Sequence, residues 1–346
     1  MLPRGSYPIY IEEETIIVPI AEYSQSEIPI SLIPEHKLIA ECSLTILQQD
    51  VVRTLAYFDV FSYPLSSEQV KVFLPRNSVT LSQLEESLAG LTKSGVLNSE
   101  LGYYYLSDRS SEVVTARVQN ERRAFRMIRR ARWISRFLRQ IPFVRGIFIT
   151  GSLSKNVAGP SSDVDFMIVT APNRLWICKM ILTGIRRILL FNSTKYFCFN
   201  LFVTENGFFF SDQNVFNAIE IATTQVLWND AVYRKFQSVN SWIRHFLPNW
   251  KSDNSAPAGV SASSPFIQEL LEGALNILPL DRIDASLMHF ARSYWKRRNL
   301  HLDEKRFDSL FLCTRDISTV WYDDHKTRIL SRFQQRLAEL GIEQAA

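Results

Sequence analysis

Apolar positions recur at helical spacing from about Leu44, where Leu47, Val51, Val52, Leu55, Ala56 and Phe58 share one face up to the Ser62-Tyr63-Pro64 break. Ser66-Ser67-Glu68 ahead of Val70 and Phe73 predicts a second, short helix that stops before Pro75. A third begins at Thr80, with Gln83 in capping-box position, and carries Leu81, Leu84, Leu88 and Leu91 towards Gly95. From Val96 to Leu106 the pattern shortens to two strands around a polar, glycine-containing turn. Residues 112 to 140 predict one long helix, and Ile147 to Thr150 a buried strand that ends at Gly151-Ser152. A strand through Asp165 to Val169, a helix over Pro172 to Phe191 and a strand over Tyr196 to Val203 follow. Helices are predicted over Asn214 to Leu227, over Ala231 to Phe246 and, after a Ser/Pro/Ala/Gly linker at about 251 to 265, through most of 266 to 346.

Proline at positions 3, 8, 19, 29 and 34 argues against a helix in residues 1–43, which read as an extended or disordered arm. Three helices and a hairpin in residues 44–110 look like a winged helix. Its third helix, carrying Glu85 and Glu86, is a poor match for a phosphate-lined groove, so packing or protein contact is the preferred reading and DNA binding the alternative. The connector, residues 111–142, is studded with arginine from Arg117 to Arg139. One reading is a solvated helix that docks Phe125, Ile128, Trp133 and Phe137 on the core. The other is a phosphate-binding surface leading to the next strand.

A 46% hydrophobic share in 346 residues is that of a globular chain large enough for two or three domains. The net charge of +4 permits a nucleotide or nucleic-acid partner without requiring one. Four cysteines without Cys-x-x-Cys spacing and five scattered histidines point to a reduced cytoplasm and away from zinc. No signal peptide is evident, and the apolar stretch at 175–191 is interrupted by Lys179, Arg186 and Arg187, so no membrane association is expected.

The chemistry lies in Gly151-Ser152-Leu153-Ser154-Lys155-Asn156, followed by Ser162-Asp163-Val164-Asp165. Gly151 lets the backbone approach an anion, and the Ser152 hydroxyl can donate to a phosphate oxygen. Strand alternation puts Asp163 and Asp165 on one face, where two hard oxygen donors suit Mg²⁺ held together with substrate phosphates. This pattern, over about residues 143 to 205, resembles the nucleotidyltransferases similar to DNA polymerase beta, with Lys155 at their basic position and Asn156 in place of the usual second glycine. The resemblance implies an NTP substrate, Mg²⁺ or Mn²⁺ as cofactor, metal ligation by Asp163 and Asp165, and nucleotide binding by Gly151, Ser152, Lys155 and Ser162. It also implies a third acidic residue on a neighbouring strand, at the position where this chain has Asn200, an amide unable to take a proton at neutral pH.

The expected fold is α+β: a mixed-sheet nucleotidyltransferase core, residues 143–210, between the winged-helix-like domain and a helical C-terminal region, residues 211–346. The expected function is transfer of a nucleoside monophosphate to a hydroxyl on a nucleic acid, a protein or a small molecule. The alternatives are a degenerate nucleotide-binding or regulatory module and a DNA-binding regulator.

Overall fold

The computed structural model describes residues 44–76, 78–189, 198–251, 265–319 and 325–342, so the expected arm at 1–43 and most of the linker lie outside the described residues. The first three helices are α1 (Ile46–Asp59), α2 (Ser67–Phe73) and α3 (Leu81–Lys93). Each opens on a full capping box: Thr45 with Gln48, Ser66 with Gln69, and Thr80 with Gln83. The hydroxyl accepts from the backbone N–H three residues on, and the glutamine carbonyl accepts from the cap N–H, so two otherwise orphaned donors are satisfied at each start. Leu84, Leu88 and Leu91 are fully buried while Glu85 and Glu86 face water. Strands β1 (Leu65–Ser66), β2 (Leu97–Glu100) and β3 (Tyr103–Leu106) form an antiparallel sheet in the order β1-β3-β2. The hairpin turns on Leu101 and Gly102, at φ +51° and +81°, the paired left-handed residues that a two-residue turn of this hand requires.

Helix α4 (Glu112–Leu138) buries Ala124, Met127, Ile128, Ala131, Ile134 and Leu138. Ile128 docks as expected, but Phe125 and Trp133 are 64% and 69% exposed and Phe137 is exposed too. The small side chains of Ala124 and Ala131 let the helix lie close on the sheet, and this rotation turns the large aromatic rings outwards.

The main sheet has the order β7-β4-β5-β6-β8 and is mixed. Its strands are β4 (Val144–Ile149), β5 (Asp165–Thr170), β6 (Cys198–Thr204), β7 (Gln225–Trp228) and β8 (Ile317–Thr319). β5 runs parallel to β6, and the other neighbours are antiparallel. The expected helix over Asn214 to Leu227 is divided: α7 (Val215–Thr223) ends at Thr224, and Gln225 to Trp228 pair with β4. A short apolar run does not tell a buried strand from a helix by periodicity, and here the open edge of β4 decides. The expected all-helical tail likewise contains β8, which closes the opposite edge against β6.

The remaining helices are α5 (Gly151–Ser154), α6 (Leu175–Leu189), α8 (Asp230–Val239), α9 (Ile243–Phe246), α10 (Phe266–Leu275), α11 (Leu280–Arg298), α12 (Glu304–Leu310) and α13 (His325–Glu339). Ile147, Ile149, Phe166, Ile168 and Phe202 pack under α4, α6 and α11. Phe148, Met167, Val169 and Val203 face the other way, into a cluster that takes in α7 to α9, α13 and the whole N-terminal three-helix core. One apolar core thus runs from the main sheet into the N-terminal domain. Alternation along each central strand feeds both layers.

Candidate functional site

β4 ends and β5 begins at the same edge of the sheet, because the two strands are antiparallel. The turn after β4 lies against the first residue of β5: Thr150 donates its N–H to the Asp165 carbonyl at 3.0 Å. Gly151 has φ +69°, and a Cβ built on it would stand 2.6 Å from Asp165 Oδ2. Only glycine fits, for backbone conformation and for space. The reason is internal to the site, since the backbone of the Gly-Ser turn rides directly on the second carboxylate of the Asp-x-Asp. Asn156 closes the turn at φ +59°, left-handed as its type tolerates.

Asp163 lies just before β5 and Asp165 opens it, with both partly exposed and Val164 fully buried between them. Burial, and then the charge of Asp163, push the Asp165 carboxyl up to about 7; Glu220 adds to the rise, whereas a hydrogen bond from Cys198 and the charge of Lys155 oppose it. Burial beside a second carboxylate accounts for this direction, and a cation would relieve it.

The other expected residues are placed as follows. Ser152 is partly exposed, and its hydroxyl makes no hydrogen bond to protein among the described residues. The Ser162 hydroxyl accepts from the Gly159 N–H at 2.8 Å and so fastens the loop that leads to Asp163. Lys155 donates to the Gly151 carbonyl at 3.1 Å and to Glu220 Oε1 at 2.7 Å. Asn200 lies in β6, and its side chain falls outside the described residues. The register partner of Asp165 on β6 is Cys198. A register shift follows, Met167 being paired with Leu201, which places Phe199 and Asn200 in the irregular interval. Burial, and then the charges of Asp165 and Asp163, raise the Cys198 thiol, so it is a neutral donor.

Further contributors had no signal in the sequence. Glu220, on α7, meets Lys155 because α7 leads into β7 at this same edge, where Ile149 pairs with Gln225. Gln225 continues the brace by donating to the Ser154 carbonyl at 2.7 Å and to Asn156 Oδ1 at 3.1 Å. Tyr63 of the N-terminal domain donates to the Lys155 carbonyl at 2.7 Å, and the Arg117 guanidinium lies 3.7 Å over the Tyr63 ring. Arg117 is buried and paired with Glu121; burial lowers its pKa to about 10.

Hard carboxylate oxygens at Asp163 and Asp165, under a glycine backbone that leaves room where a side chain would stand, suit a hard divalent cation shared with phosphate oxygens. Among the described residues no group of three or more His, Cys, Asp and Glu side chains is drawn together as a ready-made cage. The substrate would have to complete the coordination.

Residues 131–207 match the family model described as a nucleotidyltransferase domain. The match runs from the last two turns of α4 to the turn Glu205–Gly207 that follows β6 and contains the Gly-Ser turn and both aspartates. Neither a curated protein nor a solved structure matches the chain. The middle of the chain is therefore a nucleotidyltransferase domain of the kind similar to DNA polymerase beta, set in a mixed α+β fold. No helix among the described residues is long and apolar enough to cross a membrane.

Proposed function

We propose that the protein transfers a nucleoside monophosphate from an NTP to a hydroxyl acceptor, releasing pyrophosphate, with Mg²⁺ or Mn²⁺ held by Asp163 and Asp165. The observation that carries this reading is the apposition of Gly151 and Asp165: a turn built to approach phosphate rests on a carboxylate built to hold metal. Bound there, the cation would supply charge neutralisation on the phosphates. The chain's own part is positioning. Ser152 and the N–H groups of its turn hold the triphosphate, Ser162 fixes the loop that carries Asp163, and Glu220 holds Lys155 beside the turn. The N-terminal domain, winged-helix-like in this reading, braces the site loop through Tyr63.

Cys198 favours a second reading, nucleotide binding with little turnover. A neutral thiol beside Asp165, with Asn200 close by in the strand, leaves no carboxylate at the third position to accept the acceptor's proton. Incubation with α-labelled NTPs and Mg²⁺ or Mn²⁺, with RNA, protein and small-molecule acceptors in separate reactions, tests the choice. Transfer is expected in the wild type and is expected to be lost in Asp165→Asn. Nucleotide binding with no label transferred to any acceptor, even in Asn200→Asp, would leave the binding module as the function.

A further inference from the structure

The outward face of α4 differs from the arginine sites that fasten the fold. Arg109, Arg145 and Arg336 each pair with a carboxylate. Arg122, Arg126, Arg129, Arg132 and Arg136 are exposed and make no ion pair among the described residues. At about 100° per residue, Arg122, Arg126, Arg129, Trp133 and Arg136 fall within roughly 80° of arc, with Arg122 at its middle and Trp133 about 20° to one side. Phe125 and Phe137 flank the same face, so three exposed aromatic rings alternate with unpaired guanidinium groups.

Like charges crowded on a helix repel one another and large exposed rings forgo burial, so both arrangements cost stability in the isolated chain. A partner that is polyanionic and carries flat rings at intervals answers both costs at once. The helix is also oriented for it. Near its N-terminal half the Asn120 carbonyl accepts from the N–H of Ala158, in the loop between Lys155 and Asp163. Its C-terminal end returns to the start of β4, so the end of the arginine face at Arg122 lies on the half of the helix that meets the site loop, and the face runs away from that level for about 21 Å to Arg136.

We infer that this face of α4 binds a single-stranded polynucleotide whose end reaches the Gly151–Asp165 site, which makes a nucleic-acid hydroxyl the acceptor. Guanidinium groups take the phosphates, and Trp133, with Phe125 and Phe137 beside it, stacks on unpaired bases. A duplex keeps its bases stacked inside and offers the rings nothing. The span suits about four nucleotides, at the short end of single-strand sites. The acceptor assignment rests on the transfer reading above, whereas strand binding stands without it.

The test uses fluorescence anisotropy of the full chain with end-labelled single-stranded RNA, single-stranded DNA of the same mixed sequence and the matching duplex, at several salt concentrations. Co-sedimentation with phosphatidylserine vesicles is run beside it. At least one single strand should bind more tightly than the duplex, and the better of the two identifies the source. Trp133→Ala should weaken it by roughly 5- to 150-fold, and Trp133→Phe should restore most of that loss. Arg126→Glu with Arg129→Glu should weaken it further and reduce the log–log salt slope by about 1.4. Because these residues are exposed, each loss should come without a fall in melting temperature. Wild-type affinity in Trp133→Ala, equal binding of duplex and single strand, or capture of vesicles without any binding of single strands would overturn the inference. Strand binding that survives in Asp163→Asn/Asp165→Asn is the expected result and separates the two claims: failure of NTP binding would then count against the transfer reading alone.

Discussion

Asp165 carries the most physical information of any single residue. Its carboxyl, pushed up to about 7 by burial and by Asp163, titrates well above an unfolded aspartate at about 3.9. The folded state therefore holds a proton that the unfolded state has released over this window. Its contribution to stability is complete below about pH 4 and is lost as pH rises through about 7. In chelator, the wild type should lose stability between about pH 4 and 7, and Asp165→Asn should flatten that slope and be the more stable protein at the upper end. Urea unfolding at a series of pH values measures this, and parallel curves for the two proteins would mean that the carboxylate is not crowded as described. At the same scale, what the sequence disclosed was the chemistry that sits in one contiguous stretch: Gly151, Ser152 and the Asp-x-Asp. Cys198 was hidden because a register shift in β6, and not the order of residues, decides what faces Asp165. Glu220 was hidden because nothing in the pattern of α7 ties it to Lys155.

Among the elements, α13 joins the C-terminal region to the N-terminal domain. Arg336 donates to Asp59 at 2.8 Å, to Asp108 at 2.5 Å and to Glu339 at 3.1 Å, and Phe333 meets the Tyr57 ring edge-on at 5.3 Å. Asp59 is itself buried and is also held by Arg109. Arg336→Met should therefore cost about 2 kcal/mol, the scale of hydrogen bonds to a charged group, with Arg109 limiting the damage. A shift in the urea midpoint at constant slope reports it, and a change of under about 0.5 kcal/mol would class the contact with ordinary surface pairs. The long elements were legible: the Thr80–Gln83 capping box, an amphipathic α3 and the strand leading to Gly151 all carry local signals. β7 and β8, of four and three residues, were not. Their strand character comes from the edges they close, which is tertiary information. The rotation of α4 was missed for a related reason, because close approach through Ala124 and Ala131 outweighed the size of the aromatic rings.

In the whole molecule, a nucleotidyltransferase sheet and an N-terminal helical domain share one apolar core, with Tyr63 reaching from that domain to the site loop. The site is thus held from the sheet below, from α7 at the side and from the N-terminal domain above, an arrangement suited to fixing phosphates in position rather than to moving them. The central claim is that the Gly151 turn and the two aspartates form one site for a metal–triphosphate complex. Isothermal titration of NTP with and without Mg²⁺, on the wild type and on Asp163→Asn/Asp165→Asn, tests it most directly. The account predicts NTP binding that requires Mg²⁺ in the wild type and is lost in the double variant, with the fold retained. Equal NTP affinity in the two proteins, or affinity indifferent to the cation, would contradict it.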